Sequence, residues 1–305
     1  MKNENFFIGC VQFSHFALKK LLSLQNENLQ VVGIATKEKS NFNSDFYDLK
    51  QDIKNLPCLH VKDINDTQSL KFIHSLKPDI IYCFGWSSLI KKELLNSYPI
   101  IGFHPSKLPC NRGRHPIIWA LFLNLKESGS SFFVMDKGAD TGRILSQKSI
   151  KISSKDNAKS LYEKITQKAL KQIEDFTLKI YKKSLKNKDF KSILYTLSYK
   201  QTKGNAWRKR DFKDGKIDFR MNSLAIYNLI RALAPPYIGA EVLYNNKIYK
   251  IYEAKIVKNS QNNLECGKIL KVNQKGILVK SYDGAILLTK HNFDILPKNG
   301  EYFKG

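Results

Sequence analysis

The chain has 305 residues, 42% of them hydrophobic, and this length predicts one large domain with a smaller one, or two of similar size. Its five cysteines are scattered without a C-x-x-C pair, which excludes a disulfide framework and a zinc site. The formal net charge of +24 suits an anionic partner, such as a nucleic acid, a nucleotide-linked substrate or a polyglutamylated cofactor. A drift of composition toward Lys, Asn and Ile explains the same excess, so charge alone does not select a partner.

Short apolar runs alternate with helical periods through the first half of the chain. Strands are predicted over residues 6–10, 30–35, 80–84, 100–103, 131–135 and 144–152. Helices are predicted around residues 16–22, 67–76 and 88–95. This alternation predicts an α/β fold with a Rossmann-like, parallel-rich sheet. There is no G-x-G-x-x-G after the first strand and no P-loop motif, so a standard dinucleotide or P-loop site is not supported.

The second half begins with a long helix that Asp156 is expected to cap and that runs to about residue 181. A basic crossing follows over residues 182–188. Beyond residue 200 we expect a short strand at 217–220 and a helix at 223–233, capped by Ser223 and stopped by Pro235 and Pro236. Short strands then recur at 242–244, 249–254, 267–272, 276–280 and 285–288. The sequence therefore predicts an N-terminal domain over residues 1–200 and a small β-rich, OB-like domain over 201–305.

No apolar run near the N-terminus is long enough for a signal peptide. None elsewhere approaches the roughly 18 apolar residues of a membrane span. We therefore expect a soluble, cytoplasmic protein with no membrane partner.

Two polar stretches follow predicted strands. The first is GFHPSKLPCNRGRHP over residues 102–116, and the second is MDKGADTG over residues 135–142. Because ligands of open parallel sheets bind outside the carboxyl ends of the strands, we expect five side chains to converge on one cleft. They are His104, Asn111, His115, Asp136 and Asp140. Taken singly, a histidine at a strand end is more often a structural hydrogen-bonding residue, and an aspartate before Thr-Gly a turn residue.

The order and spacing of the two stretches resemble the formyltransferase family. That family includes methionyl-tRNA formyltransferase, glycinamide ribonucleotide transformylase and the sugar N-formyltransferases. HPSKLP with the following Arg112-Gly113 matches its His-x-Ser-Leu-Leu-Pro-x-x-(Arg/Lys)-Gly motif, and DGKIDF over 214–219 resembles the start of the C-terminal domain of the tRNA and sugar enzymes. The resemblance implies transfer of a formyl group from N10-formyltetrahydrofolate to an amine, with no metal. His104 would be the central acid/base and oxyanion partner, and Asp140 its carboxylate.

One departure from the family concerns the oxyanion. The family's Asn two positions before the histidine is Gly102 here, and loss of such a donor typically costs about 10²–10³ in rate. We hypothesise that the Asn111 side chain takes this role; His115 is a second candidate. A structural role for Asn111, bonding the loop backbone, is the alternative.

The resemblance also implies binding residues. The pterin would lie against the loop after the third strand and the Asp-x-Gly loop, through Phe84, Gly85, Trp86, Ser87, Leu89, Met135, Gly138 and Ala139. Gly85 would let the backbone approach the ring, and Leu89 would supply an apolar wall. Trp86 has the alternative of a core anchor, as Trp119 has on its helix. The acceptor would be bound by Ser106, Arg112, Gly113, Arg114, His115, Trp207 and Arg208.

Three identities of the acceptor remain open. The first is a nucleotide-linked amino-deoxy sugar for surface glycan synthesis, the second initiator methionyl-tRNA, and the third none at all, in a non-catalytic relative that binds folate or nucleotide. Residues 111–121 and 205–210 look most like the sugar enzymes, including those on pseudaminic-acid-type precursors. The tRNA enzymes carry a basic, glycine-rich insertion after the second strand, whereas residues 36–46 are mixed in charge and lack glycine. This favours the sugar, and the family also suggests a homodimer.

Overall fold

The computed structural model describes residues 2–39 and 44–303. These residues fall into two compact units. The first contains the residues up to Gly113 with Ser128–Ile150 and Glu163–Trp207, and the second contains Arg114–Glu127, Lys151–Tyr162 and the residues from Arg208 onward. The units interleave along the chain, and the linear division near residue 200 stays a prediction.

The first unit is built on a seven-stranded sheet with the strand order β3-β2-β1-β4-β5-β7-β8. Its strands are β1 Asn3–Ile8, β2 Leu29–Thr36, β3 Cys58–His60, β4 Ile80–Cys83, β5 Ile100–His104, β7 Glu127–Val134 and β8 Ile144–Lys151. A two-residue strand, β6 (Arg112–Gly113), pairs in parallel with β9 (Ala206–Trp207) outside that sheet. Strands β1 to β5 pair in parallel, and β7 joins β5 in the antiparallel sense. This confirms the Rossmann-like, parallel-rich sheet.

Helices connect these strands. They are α1 Gln12–Ser23, α2 Thr67–Leu76, α3 Lys92–Ser97, α5 Ala158–Ser184 and α6 Phe190–Leu197; α4 (Pro116–Phe122) belongs to the second unit. Aromatic rings fill the centre of the first unit, with Phe7, Phe84 and Phe132 at 0% exposure. The ring centroids of Phe84 and Phe132 lie 5.1 Å apart in an edge contact, which packs the residue after β4 against β7.

The second unit contains α4, α7 (Ser223–Leu233) and a five-stranded antiparallel sheet with the order β10-β11-β14-β13-β12. The strands are β10 Ala240–Tyr244, β11 Lys247–Val257, β12 Ile269–Asn273, β13 Gly276–Lys280 and β14 Ala285–His291. Asn245 and Asn246 have φ of 48° and 61°, as a tight hairpin between β10 and β11 requires. The expected small β-rich domain is confirmed.

Several predicted elements differ. Residues 217–220 form no strand: Ile217 N donates to Glu241 O, and Met221 N already donates back to Asp218 O in a turn. Ile217 and Phe219 are both buried, and this alternation imitates a strand. The helix predicted at 88–95 begins only at Lys92.

Two predicted caps are also wrong, because the neighbouring asparagine takes the role. The Asn222 side chain accepts from Ala225 N at the start of α7, and Asn157 Oδ1 accepts from Ser160 N at the start of α5. Helix α6 was not predicted. Among the described helices, none combines the length and apolar character of a membrane span.

Candidate active site

His104 is the last residue of β5, and its side chain is buried with 4% exposure. Its Nε2 lies 2.7 Å from the backbone carbonyl oxygen of Asn111. A carbonyl oxygen only accepts hydrogen bonds, so Nε2 carries a proton in this arrangement. The other ring nitrogen, Nδ1, is therefore the one that is free to gain and lose a proton.

The Asp140 carboxylate faces that second nitrogen. Its Oδ2 lies 3.5 Å from His104 Nδ1 and accepts a hydrogen bond of 2.9 Å from the backbone N–H of Gly113. At 3.5 Å the contact is longer than a formed hydrogen bond. The two ring nitrogens of His104 thus face two acceptors, the Asn111 carbonyl at Nε2 and the Asp140 carboxylate at Nδ1.

The Asp136 side chain shapes the loop that carries Asp140. Its Oδ1 accepts from Gly138 N at 3.0 Å and from Thr141 Oγ1 at 2.5 Å, which closes a turn. Asp140 then has a φ of 58°, in the left-handed region. Gly138 and Ala139 lie exposed on this loop, and Met135 packs against the core below it. Asp136 therefore serves the turn, and Asp140 is the carboxylate that reaches His104.

Asn111 meets His104 through its backbone. It has a φ of 64°, which turns its carbonyl oxygen to His104 Nε2. Asparagine tolerates this left-handed conformation better than most side chains. Its side-chain Oδ1 accepts from Asn205 Nδ2 at 3.2 Å. The Asn111 side chain therefore bonds another side chain, and both of its predicted roles, as oxyanion donor and as a partner of the loop backbone, stay predictions.

The space beside Gly102 is filled. A Cβ placed on Gly102 would lie 2.8 Å from Phe133 Cζ and 3.0 Å from Met135 Cε. Phe133 is itself 2% exposed and packed with Leu108 and Ile144. The side chain of the family's asparagine would have to displace one of these two groups.

The loop after β4 carries the predicted cofactor residues. Phe84 is fully buried, and its carbonyl accepts from Ser14 Oγ at 2.6 Å. Gly85 has a φ of 70°, and a Cβ there would collide with Val11 and Ser14 of the adjoining helix segment. Packing of α1 against the loop therefore requires the glycine, whether or not a ring approaches it.

Trp86 and Leu89 occupy the outer part of this loop. The Trp86 ring packs against the core beside Ile8 and Cys83, so a core role is present, and Lys37 Nζ lies 4.9 Å from its centroid. Its indole Nε1 is buried, and no hydrogen-bond partner for it exists among the described residues. Leu89 is 66% exposed. The buried donor of Trp86 and the exposed side chain of Leu89 are both available to a ligand, and their contact with the pterin stays a prediction.

Two residues to which the sequence analysis gave no role of their own contact this site. Gln201 and Asn205 contact both polar stretches: Gln201 Nε2 donates to the Asp140 carbonyl at 2.9 Å, and Asn205 Oδ1 accepts from Asn111 N at 2.9 Å. Asn205 begins the stretch 205–210 that resembles the sugar enzymes, and Gln201 lies four residues before it. The Arg112 guanidinium also bonds within this set of residues, because its Nη2 donates to Gln201 Oε1 at 2.7 Å. Ser106 is buried and donates to Cys110 O, which holds its own loop closed.

Three predicted acceptor residues, Arg114, His115 and Arg208, belong to the second unit. Burial, followed by the charges of Arg114 and Arg210, lowers the pKa of His115 to about 4, so this ring is neutral. Its Nδ1 accepts from Arg210 N at 3.3 Å. Burial also lowers the pKa of Arg114.

Arg208 and Arg210 both lie over the Trp119 ring, at 5.1 and 4.9 Å from its centroid. Trp119 is 8% exposed and donates through Nε1 to Arg208 O, so its predicted core role is confirmed. Trp207 pairs through its backbone with Gly113 in the first unit. Among the described residues, no group of three or more His, Cys, Asp or Glu could hold a metal ion.

Comparison with known proteins decides the family. The family model described as Formyl transferase matches residues 16–177, and that for its C-terminal domain matches residues 211–295. The chain belongs to the formyl transferase family. It is therefore an enzyme of formyl transfer with N10-formyltetrahydrofolate as donor, which sets aside the non-catalytic alternative.

Relatives of this formyl transferase point to different acceptors. Methionyl-tRNA formyltransferase of Clostridium acetobutylicum is 30% identical over 317 residues, covering 98% of this chain and 95% of the relative. The bifunctional polymyxin resistance protein ArnA of Wigglesworthia glossinidia brevipalpis is 36% identical over 204 residues, and the match spans 66% of this chain but only 30% of that protein. The fold is shared with an N-formyltransferase from Helicobacter canadensis, solved with folinic acid and dTDP-3-aminofucose, at a TM-score of 0.64 and 19% identity, covering 95% of this chain and 99% of that one.

Proposed function

We propose that this formyl transferase formylates the amine of a nucleotide-linked amino-deoxy sugar in surface glycan synthesis. The observation that carries the proposal is the segment between β2 and β3, residues 37–57. Its lysines are Lys37, Lys39, Lys50 and Lys54, and its acids are Glu38, Asp45, Asp48 and Asp52, so it has no net charge, and it has no glycine. Residues 40–43 of this segment lie outside the described part of the chain.

The described part of the segment is held against α1 instead of projecting as a basic loop. Asp52 accepts from Tyr47 OH at 3.1 Å and contacts His15 Nδ1 at 2.7 Å. Gln12 N donates to Asp45 O, and Tyr47 N donates to Cys10 O. Binding of an RNA backbone draws on unpaired Lys and Arg, which this segment does not supply in excess.

In the proposed chemistry, His104 moves the proton. The acceptor amine attacks the formyl carbon, a C–N bond forms to the amine, and the bond from the formyl carbon to N10 breaks. The amine loses one proton and N10 gains one, so no oxidant or other reactant is needed. Nδ1 of His104 is the relay atom, because Nε2 already donates to the Asn111 carbonyl. Asp140 holds the charged ring during the transfer.

We propose that Arg208 contributes to recognition of the nucleotide phosphates. Arg208 is bound by Asp214, yet 61% of its side chain stays exposed. An exposed guanidinium can share a diphosphate with its carboxylate partner still in place. Arg114, in the same unit, is the second candidate for this charge.

A second candidate acceptor is initiator methionyl-tRNA. It is favoured by the name of the relative that matches nearly the whole chain, and by a row of lysines on α5. Lys168, Lys171, Lys179 and Lys182 are all exposed and recur at helical spacing on one face, with the exposed Asp175 between the two pairs. Such a row attracts a polyanion in a salt-dependent way.

One experiment separates the two. The purified chain is incubated with N10-formyltetrahydrofolate and, in parallel, with dTDP- or UDP-linked amino sugars or with charged initiator tRNA. We expect formylated sugar, a kcat about 10²-fold lower in Asp140→Asn, and an at least tenfold higher KM for the sugar nucleotide in Arg208→Gln. Arg220→Gln removes another exposed arginine that is paired with an aspartate, Asp218, and is the matched surface control. Turnover of the tRNA alone would overturn the sugar proposal.

A further inference from the structure

We propose that residues 201–207, hereafter the strap, position both catalytic loops, with Gln201 acting on Asp140 and Asn205 acting on His104. The inference rests on the catalytic roles proposed above for His104 and Asp140. Neither Gln201 nor Asn205 touches the reacting atoms in this reasoning; each acts through a residue that does. The strap, His104 and Asp140 all lie in the first unit.

Gln201 fixes the loop that carries Asp140. Its Nε2 donates to two carbonyl oxygens, those of Asp140 at 2.9 Å and Gly142 at 2.6 Å. Its Oε1 accepts from the Arg112 guanidinium at 2.7 Å. One amide thus uses its donor on the Asp140 loop and its acceptor on the loop that follows His104. These bonds hold Asp140 in its left-handed backbone conformation.

Asn205 fixes the residue that sets the His104 tautomer. Its side chain pairs with Asn111 in both directions: Asn111 N donates to Oδ1 at 2.9 Å, and Nδ2 donates to Asn111 Oδ1 at 3.2 Å. The backbone carbonyl of Asn205 also accepts from Arg112 N at 3.1 Å. These bonds hold Asn111 in the conformation that turns its carbonyl to His104 Nε2. The proton on Nε2, and hence the free Nδ1 toward Asp140, follows from the position of that carbonyl.

Backbone contacts bring the strap close enough for these bonds. Arg112 and Gly113 pair in parallel with Ala206 and Trp207. A Cβ on Gly113 would lie 2.7 Å from the Trp207 carbonyl oxygen, and one on Gly204 would collide with the Pro109 carbonyl. Glycine at these two positions lets backbone lie on backbone. The backbone of the strap therefore packs directly against the loop that follows His104.

The test compares four variants with two controls. Gln201→Ala and Asn205→Ala remove the amides, while Gln201→Glu keeps an acceptor for Arg112 and loses the donor to the Asp140 loop. Asn205→Asp likewise keeps the acceptor for Asn111 N and loses the donor to its side chain. Gln167→Ala and Asn263→Ala remove the same amide types from exposed positions. Folding is checked for each by thermal unfolding.

Turnover is the first measurement, with whichever amine the wild type accepts. We expect kcat to fall about 10²-fold in Gln201→Ala and Gln201→Glu, with the KM for N10-formyltetrahydrofolate within threefold, because misplacement of a catalytic group by about 1 Å costs that much. A purely structural role would change the unfolding temperature and leave kcat alone. A folded Gln201→Glu that keeps kcat within twofold would refute the role of Gln201.

The second measurement needs no acceptor, so it separates failure of this inference from failure of the proposed function. ¹⁵N-labelled histidine spectra report which ring nitrogen of His104 carries the proton, assigned by the signal lost in His104→Ala. We expect protonation at Nε2 in the wild type and a mixture of tautomers in Asn205→Ala, with partial retention in Asn205→Asp. An unchanged His104 signal in a folded Asn205→Ala variant would refute the proposed role of Asn205.

Discussion

Gly102 offers the sharpest test of the packing around the site. It lies on β5 between β4 and β7, paired with Cys83 on one side and Phe133 on the other. A methyl group added by Gly102→Ala would meet Phe133 Cζ at 2.8 Å, Met135 Cε at 3.0 Å and Met135 Cγ at 3.1 Å. The Met135 chain can rotate away, but the Phe133 ring is enclosed in the core. We therefore expect Gly102→Ala to destabilise the protein by about 1–3 kcal/mol, the usual cost of overpacking.

The assay is thermal unfolding of the two glycine variants against wild type. At about 2–4 °C for each kcal/mol, Gly102→Ala should unfold at least 2 °C lower. Gly215→Ala is the matched control, because its nearest neighbour would be Leu233 Cδ1 at 3.8 Å, an ordinary contact. Gly102→Asn should lower the unfolding temperature more than Gly102→Ala does. Combining Gly102→Ala with Met135→Ala should restore part of the lost unfolding temperature. An unfolding temperature of Gly102→Ala equal to that of wild type would refute this account of Gly102.

Three further predictions concern single side chains. Trp86→Phe keeps the ring but removes the unused Nε1–H donor, so calorimetry should show folate binding weakened by about 1 kcal/mol, near fivefold, and an unchanged Kd would contradict a ligand contact. His115 has a pKa lowered to about 4 in the folded protein, so the stability that its neutral form contributes is complete above about pH 6.5 and is lost as the pH falls toward 4. His115→Asn, which retains an acceptor for the Arg210 N–H, should escape that loss, and parallel curves of unfolding temperature against pH for the two proteins would disprove it. Asp140→Asn should lower kcat about 10²-fold with little change in folate binding, since the amide removes the charge that faces His104; single-turnover kinetics would reveal an unaffected chemical step if this is wrong.

Local pattern in the sequence was enough for the regular elements. The buried runs of β2, β4 and β5 and the period of α2 appear in the sequence close to the bounds that the structure has, because burial imposes its pattern on the residues. The first strand was predicted at residues 6–10, whereas β1 spans Asn3–Ile8. The pattern predicted a strand at residues 217–220, where buried and exposed residues alternate but no partner strand pairs with them. It did not predict β6 and β9, because strands of two residues each are too short to show a period.

The sequence by itself determined the family, the strand ends that carry the polar loops, and the choice of His104 and Asp140. Tertiary structure decided which atoms of those residues meet: His104 Nε2 contacts a backbone carbonyl, and Asp140 shares its carboxylate with a backbone N–H. It also decided the parts played by Gln201 and Asn205, whose partners lie 61 and 94 positions away in the chain. Hydrogen bonds between loops depend on backbone dihedrals and on the approach of distant segments, and neither leaves a periodic trace in the sequence.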